Sequence, residues 1–184
     1  MKTALVLVDI QNDYFPGGKM ELEGSLEASR EAQRLLTHFR QARLPIVHIQ
    51  HIAIRPGATF FLPDTDGANI HANVLPLENE VVFQKHYPNS FRDTPLLSHL
   101  QSKQINRLVI SGMMTHMCVD AAARAAYDFG FDCLIAQDAC ATRTLTFGGD
   151  KIPADFVHRS FLASLNGTYG KVLKATEILA ALQS

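Results

Sequence analysis

Thiols are scarce in this chain of 184 residues: Cys118, Cys133 and Cys140 are all it has, and no two share a C-x-x-C spacing. An odd, scattered set excludes a disulfide framework and a structural zinc site of the usual kind. Long hydrophobic runs are missing as well, since nothing approaches the roughly 18 apolar residues of a membrane span. The N-terminal run from Ala4 to Val8 meets Asp9 at once, too early for the core of a secretory signal. Charge of one sign is not in excess, because 17 Lys and Arg face 18 Asp and Glu for a net charge of -1. Neither nucleic acid nor an anionic membrane is therefore an expected partner. No G-x-G-x-x-G follows the first apolar run, which disfavours a dinucleotide module. Repeats, low-complexity tracts and linkers are absent too. Residues 1–184 are expected to form one domain of a cytoplasmic protein.

What the chain does contain is an alternation of strand-like and helix-like segments. Ala4, Leu5, Val6, Leu7 and Val8 read as a parallel strand buried on both faces. A loop with Pro16-Gly17-Gly18 leads to a helix expected over 26–43, whose stripe includes Leu35, Leu36 and Phe39. Pro45 marks its end, and residues 46–52 form the second strand. An irregular stretch from 53 to 79 follows, of a length that usually signals function. Further strands are expected at 80–84, 107–110, 132–136 and 171–173. Helices are expected at 95–104, 116–129, 153–165 and 175–182. Strands separated by helices specify an α/β fold, a doubly wound (Rossmann-like) parallel sheet with helices on both faces.

In such a sheet the reactive crevice lies at the carboxyl ends of the strands. Three groups stand there: Asp9 after the first strand, Lys85 after the third and Cys118 after the fourth. Cys118 falls where a helix begins, so the helix dipole and unpaired N–H groups are expected to favour its thiolate. A carboxylate beside a thiol can take its proton, and a lysine beside both favours the ionised forms. Each has a plain alternative: Asp9 as a turn former, Lys85 as solvated surface, Cys118 as a small packed hydrophobe.

The motif DIQNDYF at 9–15, Lys85 within VVFQKHYPNSF, and SGMMTHMCVDAAARAAYDFGFD together resemble the isochorismatase-like cysteine hydrolases, a family that includes nicotinamidases and N-carbamoylsarcosine amidases. The similarity spans nearly the whole chain. It implies a six-stranded sheet, a catalytic triad of Asp9, Lys85 and Cys118, and a non-proline cis peptide at Met113–Met114. The backbone N–H groups of Met114 and Cys118 become the implied oxyanion hole. The implied chemistry is hydrolysis of an amide, carbamoyl or ureido C–N bond through a thioester. True isochorismatases resemble this fold but lack the nucleophilic cysteine.

Other assignments are less sharply drawn. Phe15, Phe60, Phe61, Tyr87 and Phe91 are placed in the roof of the crevice, with His51 and Thr115 as further pocket candidates. Asn12 and Asp13 read as turn formers bracing Asp9. Nicotinamidases of the family hold a metal with an Asp-x-His pair, but here the matching place reads His51-Ile52-Ala53. His48 and His51 point to opposite faces of their strand, and His71 could join His51 only if the long loop folds back. No metal or other cofactor is expected. The expected partners are a small-molecule substrate and further copies of the chain in a dimer or tetramer, which Phe60, Phe61 and Leu62 would favour if they formed an exposed patch. A non-catalytic α/β binding module, or a metal-dependent nicotinamidase, are the alternative readings.

Overall fold

The computed structural model describes residues 1–183. Strand β1 (Thr3–Val8) is buried along its whole length, as its unbroken apolar run demands. Helix α1 (Ser25–Gln41) follows, burying Ala28, Ala32, Leu35, Leu36 and Phe39 on one face. Its exit is tightened by Arg43 at φ 53° and by Leu44 N–H donating to Phe39 O at 2.8 Å, after which Pro45 forbids continuation. Strands β2 (Ile46–His51) and β3 (Val81–Lys85), helix α2 (Leu96–Ser102) and strand β4 (Arg107–Met113) come next. A π-helical turn over Thr115–Val119 leads into α3 (Asp120–Asp128). Strand β5 (Asp132–Ala141), the short strands β6 (Leu145–Phe147) and β7 (Asp150–Ile152), helix α4 (Ala154–Leu165), strand β8 (Lys171–Leu173) and helix α5 (Ala175–Gln183) complete the chain.

The main sheet has six strands in the order β3-β2-β1-β4-β5-β8, all parallel. The chain winds outward from β1 to one edge and then restarts at β4 on its other side. The strand order therefore reverses between β1 and β4, where a crevice opens at the strands' carboxyl ends. Leu5, Leu7, Val109 and Leu134 face α1 and α5 on one side. Ala4, Val6, Val8, Leu108 and Ile110 face α2, α3 and α4 on the other. Helix α3 turns Ala122, Ala123 and Ala126 to the sheet, and their small side chains let it lie close.

Two features depart from expectation. Strand β5 continues to Ala141 through a break in register, Ile110 pairing with Ile135 but Gly112 with Cys140. Beyond it, β6 and β7 form an antiparallel hairpin turned by Gly148 and Gly149 at positive φ. The long segment 53–79 does fold back over the end of β1: Asn12 N–H donates to Asn69 O at 3.0 Å and His71 N–H to Ile10 O at 2.9 Å. Phe61 is carried inward to 1% exposure, so the expected exposed patch of Phe60, Phe61 and Leu62 does not form. Among the described residues no helix is long and apolar enough to cross a membrane.

Candidate active site

Asp9 leaves β1 in a left-handed conformation, φ 52°, which Asp tolerates better than most residues. Its N–H is held by Ile49 O at 3.0 Å and its carbonyl by Gln11 N–H at 3.0 Å. The carboxylate is thereby turned into the crevice with no exposure to solvent. Lys85 ends β3, two strands away, and its ammonium lies 2.7 Å from Asp9 Oδ2. It also donates to the carbonyls of Tyr87 at 3.1 Å and Pro88 at 3.0 Å. Two carbonyl acceptors and an opposite charge thus surround the ammonium, which is how a fully buried lysine can be tolerated.

Cys118 arrives from the other side of the switch point. Gly112 makes that approach possible: at φ 136°, a Cβ there would lie 2.0 Å from Val8 O. The Met113–Met114 peptide that follows is cis. The π turn then closes with Val119 N–H on Met114 O at 3.2 Å. Thr115 Oγ1 is bonded to His158 Nδ1 of α4 at 2.9 Å, and His116 Nδ1 to Thr142 Oγ1. These tethers hold the turn from both flanks and present the Cys118 thiol to both Asp9 and Lys85. Asp9, Lys85 and Cys118, read from three separate strand ends, do converge.

Their electrostatics differ from the expectation of a ready thiolate. Burial pushes the Cys118 thiol well above its ordinary value, the Asp9 charge pushes the same way, and Lys85 only partly opposes them. Cys118 sits inside the π turn that leads into α3. Burial alone would lower the Lys85 ammonium, but Asp9 and Cys118 outweigh it and raise it. The Cys118 thiol is thus held protonated beside the Asp9–Lys85 pair. Burial also pushes Cys133 and Cys140 up, each to about 12.

A cavity of about 140 Å³ opens on Cys118, lined by Tyr14, His51, Phe60, His86, Met114 and Met117 among others. His51 and Phe60 are therefore where the sequence suggests. The other pocket candidates have different duties, because burial of aromatic area outweighed a place in the roof. Phe15 stacks on His71, ring centroids 3.6 Å apart. Phe61 packs on Tyr14 at 4.6 Å, Phe91 packs against Phe129 and Phe131, and Tyr87 lies under Arg92. Thr115 spends its hydroxyl on His158.

Sequence reasoning passed over three residues. Tyr14, 2% exposed, lines the cavity, and burial together with the neighbouring Cys118 and Asp9 raises its hydroxyl well above the ordinary value. Gln11 clamps the end of β2: its amide accepts from His51 N–H at 2.7 Å and donates to His51 O at 2.9 Å and Ala68 O at 2.8 Å. Arg143 has its Nε buried without a hydrogen-bond partner and acts electrostatically on Tyr14 and His116. The first two lie within the DIQNDYF motif, and nothing about their residue types singles them out before the fold brings β2 alongside. Asp13 braces the loop more firmly than a turn former would, its carboxylate accepting from Phe61 N–H at 2.6 Å and Lys19 N–H at 3.1 Å.

Asp9, His51 and Cys118 offer ligand atoms within 4.8 Å of one another, a donor set that could hold a metal ion. The Lys85 ammonium already occupies the cation's place on Asp9. His71 stays on Phe15 with Nδ1 accepting from Asn73 N–H, and His48 faces Glu80 at 3.0 Å, so neither joins the set.

A family model described as an isochorismatase domain matches residues 3–176. The chain is 49% identical over 177 residues to the isochorismatase family protein YddQ of Bacillus subtilis, covering 96% of this chain and 98% of that one. It superposes with a TM-score of 0.93 on the crystal structure of an isochorismatase-type hydrolase from Oleispira antarctica, at 48% identity over 97% of this chain and 96% of that one. It is also 32% identical over 163 residues to a streptothricin hydrolase of Streptomyces noursei, across 85% of this chain and 57% of that enzyme.

Proposed function

The chain belongs to the isochorismatase family of hydrolases, and from that premise we propose that it cleaves a carbon–nitrogen bond of a small molecule through a thioester on Cys118. The observation that carries this reading is the Asp9–Lys85 ion pair, 2.7 Å long and wholly buried, against a thiol that opens on the cavity. A buried ion pair is a poor way to gain stability, since two well-packed apolar residues serve as well, but it is a good way to keep a carboxylate basic next to a nucleophile.

In the first step Asp9 takes the thiol proton as sulfur attacks the carbonyl carbon, and the N–H groups of Met114 and Cys118 receive the oxyanion. The intermediate collapses as the C–N bond breaks and Asp9 returns the proton to the departing nitrogen. Water then discharges the thioester, again with Asp9 as base. Lys85 keeps the carboxylate oriented and charged between steps. An amide, carbamoyl or ureido compound small enough for about 140 Å³ fits the site, and the likeness to a streptothricin hydrolase favours amide-type chemistry.

Release of ammonia or amine from a panel of small amides and carbamoyl compounds tests this. Turnover should fall by several orders of magnitude in Cys118→Ala and survive exhaustive chelation. Full activity in Cys118→Ala, or activity lost on chelation and restored by zinc, would overturn the reading.

A further inference from the structure

The cavity has a polar group that the triad leaves idle. His51 Nδ1 lies 3.9 Å from Asp9 Oδ2, beyond direct hydrogen-bond reach, yet a gap that one water molecule bridges with two bonds of about 2.8 Å bent at its oxygen. Polar atoms of His51, Asp9 and Cys118 all fall within 4.8 Å of one another, so the same water would stand against a carbonyl carbon attached to sulfur. Burial lowers the imidazole's pKa, which keeps it neutral near pH 7, and its Nε2–H tautomer leaves Nδ1 free to accept a hydrogen bond. The side chain retains 17% exposure, and the cavity is the space it faces. The backbone of His51 is held more firmly than wall-building needs, since Gln11, itself fully buried, binds both its N–H and its carbonyl.

We infer that His51 positions the hydrolytic water of the second step, an assignment that rests on the thioester reading. The water donates one O–H to Asp9 and the other to His51 Nδ1, which turns an oxygen lone pair toward the thioester carbon. The C–O bond forms as the first proton passes to Asp9. The C–S bond then breaks, and Asp9 returns that proton to the Cys118 sulfur. The site in the first step is occupied by the leaving nitrogen, so His51 serves deacylation and acylation does not need it.

The probe p-nitrophenyl acetate separates the two steps, because its leaving group departs without a proton. Stopped-flow absorbance and intact-protein mass spectrometry would follow wild type, His51→Phe, His51→Leu and His51→Gln. All should give a stoichiometric burst of p-nitrophenolate. In His51→Phe and His51→Leu the steady rate should drop about 100-fold, the lower range for loss of a proton-handling group, while an acetyl adduct accumulates on Cys118. Hydroxylamine, which needs no base, should discharge that adduct, and His51→Gln, which keeps an acceptor, should lose less. A steady rate unchanged in the folded variants, or burst and steady rate falling by the same factor, overturns the role of His51 alone. Wild type forming no adduct on Cys118 overturns the thioester reading and this inference with it.

Discussion

At the scale of single residues, the decisive object is the buried charge pair rather than the thiol. Asp9 and Lys85 are each without side-chain exposure, and removing one partner leaves the other as an unpaired ion in a dry site. Lys85→Met should therefore cost about 3–5 kcal/mol of stability, read from urea unfolding, and slow turnover by at least about 100-fold. The double variant Lys85→Met with Asp9→Asn should regain most of that stability without regaining activity. A double variant as unstable as the single one would mean that Lys85 acts chiefly by packing. The meeting of Asp9, Lys85 and Cys118 was legible in the sequence because each stands at or just beyond the end of a strand, and the carboxyl ends of a parallel sheet share one crevice. The protonation state was not legible. A helix start predicts a lowered thiol, but the degree of burial and the distance to a carboxylate are tertiary quantities.

At the scale of elements, the site depends on how the ends of β1, β2 and β4 are stitched together. Gln11 stands in for a missing rung between β1 and β2, with three hydrogen bonds to main-chain groups. Gln11→Ala leaves those groups without partners, at about 1–3 kcal/mol for each that water cannot reach. A thermal melt should show the loss, and kcat should fall with it, since both Asp9 and His51 hang on this seam. An unaltered melting temperature would show that water replaces the amide. The regular elements were readable to within a few residues because helical stripes and apolar runs are strong signals. The extension of β5 was not, since Gln137 and Asp138 interrupt its alternation just where the register shifts. The β6–β7 hairpin was available in principle: Gly148-Gly149 between short β-prone runs is a recognised hairpin signal. Of the pocket aromatics, Phe15, Phe61, Tyr87 and Phe91 were misassigned for a different reason, that sequence gives a loop's composition but not which of its rings turn inward.

At the scale of the whole molecule, the polar cluster of Arg40, His48 and Glu80 contributes to the response to acid. Burial would raise Glu80, but hydrogen bonds from Arg40, the Leu77 N–H and His48 outweigh it and bring it to about 2. Burial holds His48 below its ordinary value of 6.5. The unfolded chain takes up protons that the folded one refuses, so stability falls as pH drops. The His48 contribution is lost as pH falls below 6.5, and that of Glu80 from 4.5 down toward 2. Urea midpoints measured from pH 7 to pH 3 should decline in those two stages, and Glu80→Gln should remove the lower one. A flat profile would contradict the buried cluster. The sheet's layout has one more outcome. Lys85 belongs to β3, an edge strand, two of whose five residues are exposed, whereas Asp9 follows a strand at the centre. Edge strands fray at far lower free energy than central ones. Each fraying event would carry the ammonium away from its carboxylate, so catalysis can lapse while nearly all of the fold persists. In rising urea, turnover should fade before far-ultraviolet circular dichroism changes, and the amides of β3 should exchange with deuterium well ahead of those of β1. The working range of the enzyme is then set by its least protected strand, and reinforcing that edge would widen it without altering a single reacting atom.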